Sequence, residues 1–257
     1  MHLKPILTFA IAILVILFIY DPSQAQPQRD DYNLFETEFH WLEIEDIGEA
    51  LDDIRNNEFQ GPFEIGYEFP YFGEIYEEFW ISSNGFIGFG PSLNYQSFQN
   101  QELPDESFPN NIIALYWKDL NPEAFWAEGM IFSGMRDRKR IIQFQGVGEQ
   151  NPNGNDPENI ITMQVILERD GNIILQYLEI GEEFDLATGT IGLEDADGQE
   201  GTTFLYNNEG VEIANETAYL ISDHGPGDFL VWDAGVSPSG QAQVEALEAL
   251  GHSVVYR

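Results

Sequence analysis

The run Phe79-Trp80-Ile81-Ser82-Ser83-Asn84-Gly85-Phe86-Ile87-Gly88-Phe89 decides the fold class. Two short apolar stretches flank an Asn-Gly pair, and both of those residues tolerate positive φ, so the chain is predicted to reverse there as a β-hairpin. A second hairpin is expected where Ile160 to Glu168 runs through Arg169-Asp170-Gly171-Asn172 into Ile173 to Leu178. In its first arm Met163, Val165 and Leu167 alternate with Thr162, Gln164 and Ile166, which predicts one apolar face. Outward from these hairpins, strands are expected at Ile112 to Tyr116, Met130 to Ser133, Ile141 to Phe144, Thr190 to Leu193, Thr203 to Tyr206 and Ala218 to Ile221. Many short strands with glycine-rich turns predict a mainly β, antiparallel sandwich-like domain. Two longer loops interrupt it, a Gln/Asn/Pro-rich stretch over 91–110 and the polar run from Asn151 to Asn159.

Ile44, Ile47, Leu51 and Ile54 fall at helical spacing, while Gly48 and Asp52-Asp53 fit a turn-rich extended entry equally well. The extended reading is slightly favoured, because the same segment takes part in a family resemblance.

That resemblance is carried by several motifs in order. Phe69-Pro70-Tyr71-Phe72-Gly73, Tyr76 and the run Ile81 to Gly90 come first. Leu103-Pro104 then precedes Ile112-Ile113-Ala114-Leu115-Tyr116-Trp117-Lys118-Asp119-Leu120. Ile141 to Phe144 follows, then Thr162 to Leu167 with Asp170-Gly171-Asn172-Ile173 and Gln176-Tyr177. Upstream, Trp41, Asp46, Gly48, Leu51 and Asp52-Asp53 form a lead-in. Together, over about residues 40–222, these resemble the nidogen-like modules of extracellular proteins and the related region of plexin-domain-containing proteins, as also found in exported bacterial multidomain proteins. The resemblance implies a β-sandwich-like extracellular module linked to adhesion and matrix assembly, without catalytic chemistry. Three positions depart from the family pattern. Leu115 stands for the proline and Lys118 for the first acid of "IAPFWDDL", and Phe144 replaces the tryptophan of a later strand. If the paired carboxylates held a cation in relatives, Lys118 weakens that role here.

Composition narrows the function classes. The 257 residues carry 10 Lys+Arg against 45 Asp+Glu, a formal net charge of -35. Aromatics make up 14%, with 19 Phe, 11 Tyr and 5 Trp, which excludes disorder as the main state. So acidic a chain offers no basic face to nucleic acid; Arg136, Arg138, Lys139 and Arg140 are expected in a solvated turn. The absence of cysteine excludes disulfide scaffolds, thiolate metal sites and Cys nucleophiles.

At the N-terminus a short basic region to Lys4, an apolar run from Ile6 to Tyr20 and Ser23-Gln24-Ala25 fit a cleaved secretory signal peptide over 1–25, an uncleaved anchor being the alternative. A linker is expected over 26–39, the nidogen-like domain over 40–222 and a second linker over 223–227. From 228 the character changes. Asp228 to Asp233 forms an apolar strand, Val244, Leu247 and Leu250 sit on one helix face, and Ser253 to Tyr256 starts a further strand. This predicts the opening βαβ segment, over 228–257, of a Rossmann- or flavodoxin-like unit that is incomplete within the chain.

No HExxH spacing, G-x-S-x-G elbow, G-x-G-x-x-G or Walker loop is present. The resemblance implies, and the missing motifs agree with, a non-catalytic extracellular adhesion or interaction module with a protein or glycan partner and no transmembrane span in the mature chain. The alternative is the N-terminal accessory region of an exported hydrolase, such as a peptidase, whose active site lies beyond residue 257. Phe125, Trp126, Tyr95 and Phe98 are the candidate aromatic contacts for such a partner. Hard oxygen ligands suit Ca²⁺, and Asp119 with Asn121, and Asp195 with Asp197, are the candidate ligands.

Overall fold

The computed structural model describes residues 32–90, 95–150 and 156–223, together with the backbone of 229–231 and 254–256. The first hairpin forms as expected. β4 (Glu74–Ser82) and β5 (Phe86–Phe89) pair antiparallel across Ser83-Asn84-Gly85, and Gly85 has φ +79°. The second also forms, from β10 (Ile160–Leu167) and β11 (Ile173–Ile180).

These hairpins lie in different sheets. One sheet runs β1 (Asn33–Glu36), β15 (Thr217–Ser222), β11, β10, β9 (Lys139–Glu149), β8 (Met130–Arg136), β2 (Glu49–Ala50), with β7 (Leu120–Asn121) on β9. The other runs β14 (Glu209–Gly210), β13 (Gly201–Tyr206), β12 (Thr190–Glu194), β6 (Ile112–Trp117), β5, β4, β3 (Phe59–Tyr71). Both are antiparallel throughout, and their facing sides share one core. Alternation supplies that core. Ile142 and Phe144, Met163, Val165 and Leu167, and Leu175 and Tyr177 point inward from the first sheet. Ile65, Phe69, Phe79, Ile87, Ile113 and Leu193 do so from the second. Full burial of each such side chain contributes roughly 1.5–3 kcal/mol.

The outer faces are covered as well. Leu42 and Ile44 pack on Phe132, Ile141 and Ile166, so β10 is buried on both faces and its polar-reading positions are not solvated. Gln143, Gln164 and Gln176 lie side by side across β9, β10 and β11. Gln176 clasps the covering strap, accepting from the His40 N–H at 2.8 Å and donating to its carbonyl at 2.9 Å. On the second sheet Tyr95 and Leu103 cover Phe86, Ile112, Ala114 and Trp117. Burial on both faces explains why β5 and β6 are continuous apolar runs rather than alternating ones.

Two expectations need correction, and the open reading of Ile44 to Asn57 resolves as favoured. The 26–39 linker contains β1, whose Leu34 and Phe35 pair with Ile221 and Leu220. The Ile44 to Asn57 segment is extended and turn-rich: Ile44, Leu51 and Ile54 are buried but Ile47 is 53% exposed, and Glu49 and Ala50 pair with β8. The described residues contain no helix, so they support an all-β fold and not the incomplete α/β unit. β16 (Phe229–Val231) and β17 (Val254–Tyr256) pair in parallel as a separate two-stranded sheet. The expected helix bearing Val244, Leu247 and Leu250 lies outside the described residues, as does the signal peptide over 1–25.

Candidate functional site

The Asn-Gly turn is a structural hub. The Asn84 side chain donates to Asn57 Oδ1 at 3.0 Å and to the Gln96 carbonyl at 3.2 Å, and accepts from the Leu120 N–H at 3.1 Å. Its own carbonyl accepts from the Lys118 N–H at 3.1 Å. The Gly85 carbonyl accepts from both Leu115 and Tyr116, which fixes a bulge in β6, and a Cβ on Gly85 would stand 2.2 Å from the Tyr116 carbonyl oxygen. These contacts set Trp117 to Leu120 rigidly at the sheet end, where a charged cluster forms.

Lys118 is only 5% exposed. Its Nζ lies 2.6 Å from Glu149 Oε1 and 3.3 Å from Asp185 Oδ2, donates to the Asp185 carbonyl, and stands 5.3 Å from the Phe184 ring centre. Glu149 Oε2 accepts from Asn159 Nδ2 at 3.1 Å. Burial works to raise the Asp185 carboxyl, but the Ala187 N–H and the Lys118 charge hold it below the ordinary value. Burial, with the Glu149 charge nearby, pushes Asp119 up to about 6, and its Oδ1 is buried without a hydrogen-bond partner. The departure at Lys118 is thus an internal cation seated among carboxylates.

Asn121 continues from this cluster into a short loop. Its Oδ1 accepts from the Glu123 N–H at 2.9 Å and its Nδ2 donates to Gln150 Oε1 at 2.9 Å. The loop rests on β9 at Gly148, where a Cβ would stand 2.7 Å from Ala124 Cβ. From this base Phe125 projects, 79% exposed, and meets half-buried Trp126 edge-on at 5.2 Å and 80°.

The other sequence candidates lie elsewhere. Tyr95 is 2% exposed, donates to the Phe89 carbonyl at 2.7 Å and occupies the space left by the missing side chain of Gly88; it is core, not a ligand contact. Phe98 is 45% exposed on the loop that covers the second sheet. Asp119 and Asn121 are not joined by Asp195 and Asp197. Thr190 pairs with Trp117 and Glu194 with Ile112, so the two acidic pairs sit at opposite ends of the β6–β12 ladder. Asp195 Oδ1 caps its own turn, accepting from Gln199 and Glu200, and Asp197 is exposed. Among the described residues no three His, Asp or Glu side chains gather to hold a metal ion, and no helix is long and apolar enough to cross a membrane.

Sequence reasoning missed Glu149, Asn159, Asp185 and Glu194. None lies in a local motif; strands far apart in sequence bring them together.

A family model described as NIDO related matches residues 31–233. No curated protein and no solved structure matches the chain.

Proposed function

The chain belongs to the NIDO-related family, and on that premise we propose that it is a non-catalytic extracellular interaction module. It takes an extracellular protein or glycan against the 121–128 loop, with Phe125 as the contact and Trp126 as its brace. The observation that carries this reading is the exposure of Phe125, 79%, on a loop whose base is tied to a rigid sheet. An apolar aromatic held out into water by a fixed scaffold loses little entropy when a partner covers it, which is how interface anchors gain their weight. Phe98, exposed on the loop that covers the second sheet, is a separate candidate contact.

The test is binding of the purified protein to cells, extracellular matrix protein and glycan arrays. Phe125→Ala is expected to weaken the best binder at least tenfold, about 1.4 kcal/mol, while moving the melting temperature by no more than about 1 °C. Unchanged binding would overturn the assignment of the loop, and separate protein and glycan arms identify the partner class.

A second reading, an accessory region of an exported hydrolase, draws on the parallel β16–β17 pair. Phe229–Val231 and Val254–Tyr256 pair in parallel as a two-stranded sheet with no pairing to the two antiparallel sheets. It is tested by comparing hydrolysis by the natural secreted protein with that by residues 26–225 alone.

A further inference from the structure

Glu194 closes β12 at the end of the β6–β12 ladder opposite Lys118. Its side chain is wholly enclosed, with 0% exposure. Oε2 accepts from the Asp105 N–H at 2.8 Å, while Oε1 is buried with no hydrogen-bond partner. Ion pairs among the described residues involve Lys118, Lys139 and Arg55, and none reaches Glu194. Burial is the main cause that pushes its carboxyl up to about 8, and the charges of Asp105 and Asp195 add to it against the Asp105 hydrogen bond.

A second orphan oxygen lies on the loop that begins at Asp105. Asn110 is 7% exposed and its Oδ1 also has no partner. Its amide nitrogen and the Asp105 carbonyl both press on Gly198, standing 2.8 and 2.1 Å from where a Cβ would be. Gly198 belongs to the turn that Asp195 caps, and the Asp195 carbonyl accepts from the Asn111 N–H at 2.8 Å. Glu194, Asp105, Asn110 and the 195–198 turn thus adjoin at the end of β12, and no ion pair among the described residues reaches Glu194 there. A buried carboxyl oxygen and a buried amide oxygen, both unmatched, each cost stability unless a cation or a hydrogen-bond donor satisfies them.

We propose that Glu194 Oε1 and Asn110 Oδ1 are ligands of a calcium ion bound beneath the 105–110 loop. Calcium accepts carboxylate, amide and backbone carbonyl oxygens in flexible arrangements and completes its shell with water, so a site needs no third acidic side chain. The ion ties the loop that covers the second sheet to the end of β12. It uses neither Asp195 Oδ1, which is engaged in its turn, nor exposed Asp197, and it is independent of the Phe125 loop.

The test uses the full mature chain, stripped with chelator and titrated with CaCl₂ by calorimetry and with terbium by Tyr- and Trp-sensitised luminescence. One saturable site per chain with a dissociation constant of about 1 mM or tighter is expected at pH 7.4. Saturating calcium is expected to raise the melting temperature by about 5 °C. Glu194→Gln keeps an acceptor for the Asp105 N–H and is expected to lose at least tenfold in affinity. Asp119→Asn, at the far end of the ladder, is expected to bind as wild type. Absence of a saturable site in the wild-type protein overturns the proposal whether or not the variants fold. So does wild-type affinity in Glu194→Gln, or a stability that responds only to acidification and not to calcium.

Discussion

Lys118 sits where water is nearly excluded, and its Nζ is held there by contact with two carboxylates and one carbonyl. Removing one member of a buried pair strands the other, so Lys118→Met is expected to destabilise the protein by about 3–5 kcal/mol in urea denaturation. Adding Glu149→Gln should restore much of that loss, because the neutral pair leaves no buried charge; equal or greater instability in the double variant would show that Lys118 acts through packing alone. Asp119 makes the opposite prediction. Its folded pKa of about 6 lies above its ordinary value of 3.8, so the folded state holds the proton longer than the unfolded one. Stability from this group is therefore full below about pH 4 and is lost as pH rises through about 6. Asp119→Asn should raise stability by about 1 kcal/mol at pH 8, after discounting for partial exposure, and by nothing at pH 4. Parallel melting curves of the two proteins across that range would refute the assignment.

Gly88 shows how an element depends on one absent atom. A Cβ there would stand 2.4 Å from the Tyr95 ring, in the layer that buries β5 and β6 from outside. Gly88→Ala is expected to cost about 1–3 kcal/mol by overpacking. The Gly88→Ala/Tyr95→Val double variant should be less unstable than the sum of the singles by at least about 1 kcal/mol; additivity would mean that the two sites do not meet. At this scale the hairpins were legible because Asn84-Gly85 and Asp170-Gly171 carry their own turn chemistry. β3 was not singled out as a strand in the sequence although Ile65, Tyr67, Phe69 and Tyr71 alternate into the core; its pairing with β4 is interrupted by shifts in register between Gln60 and Phe63 and between Glu64 and Phe69. The Ile44 to Asn57 segment has helical spacing, but pairing of Glu49 and Ala50 with β8 and burial of Ile44, Leu51 and Ile54 on different surroundings outweigh a helix that would have had to bury Ile47 too.

Across the chain, 45 acidic residues face 10 basic ones, and one of those scarce cations lies inside the fold. Lys118 is buried, and Arg140 is half-buried with its Nε donating to the Ile65 carbonyl at 3.1 Å. The outward field that remains is negative. Sequence alone determined the mainly β, sandwich-like class, the two hairpins and the apolar face of β10, because turn chemistry and period-two alternation act over a few residues, and an ordered series of motifs carried the nidogen-like resemblance; the α/β unit expected after it is not supported by the described residues. Tertiary structure decided the rest. Tyr95 went to the core and Phe125 to the surface though both are aromatic residues in loops, and Glu149, Asp185, Asn110 and Glu194 acquired their neighbours from strands distant along the chain. Burial and charge pairing depend on which segments lie side by side, and no local pattern encodes that.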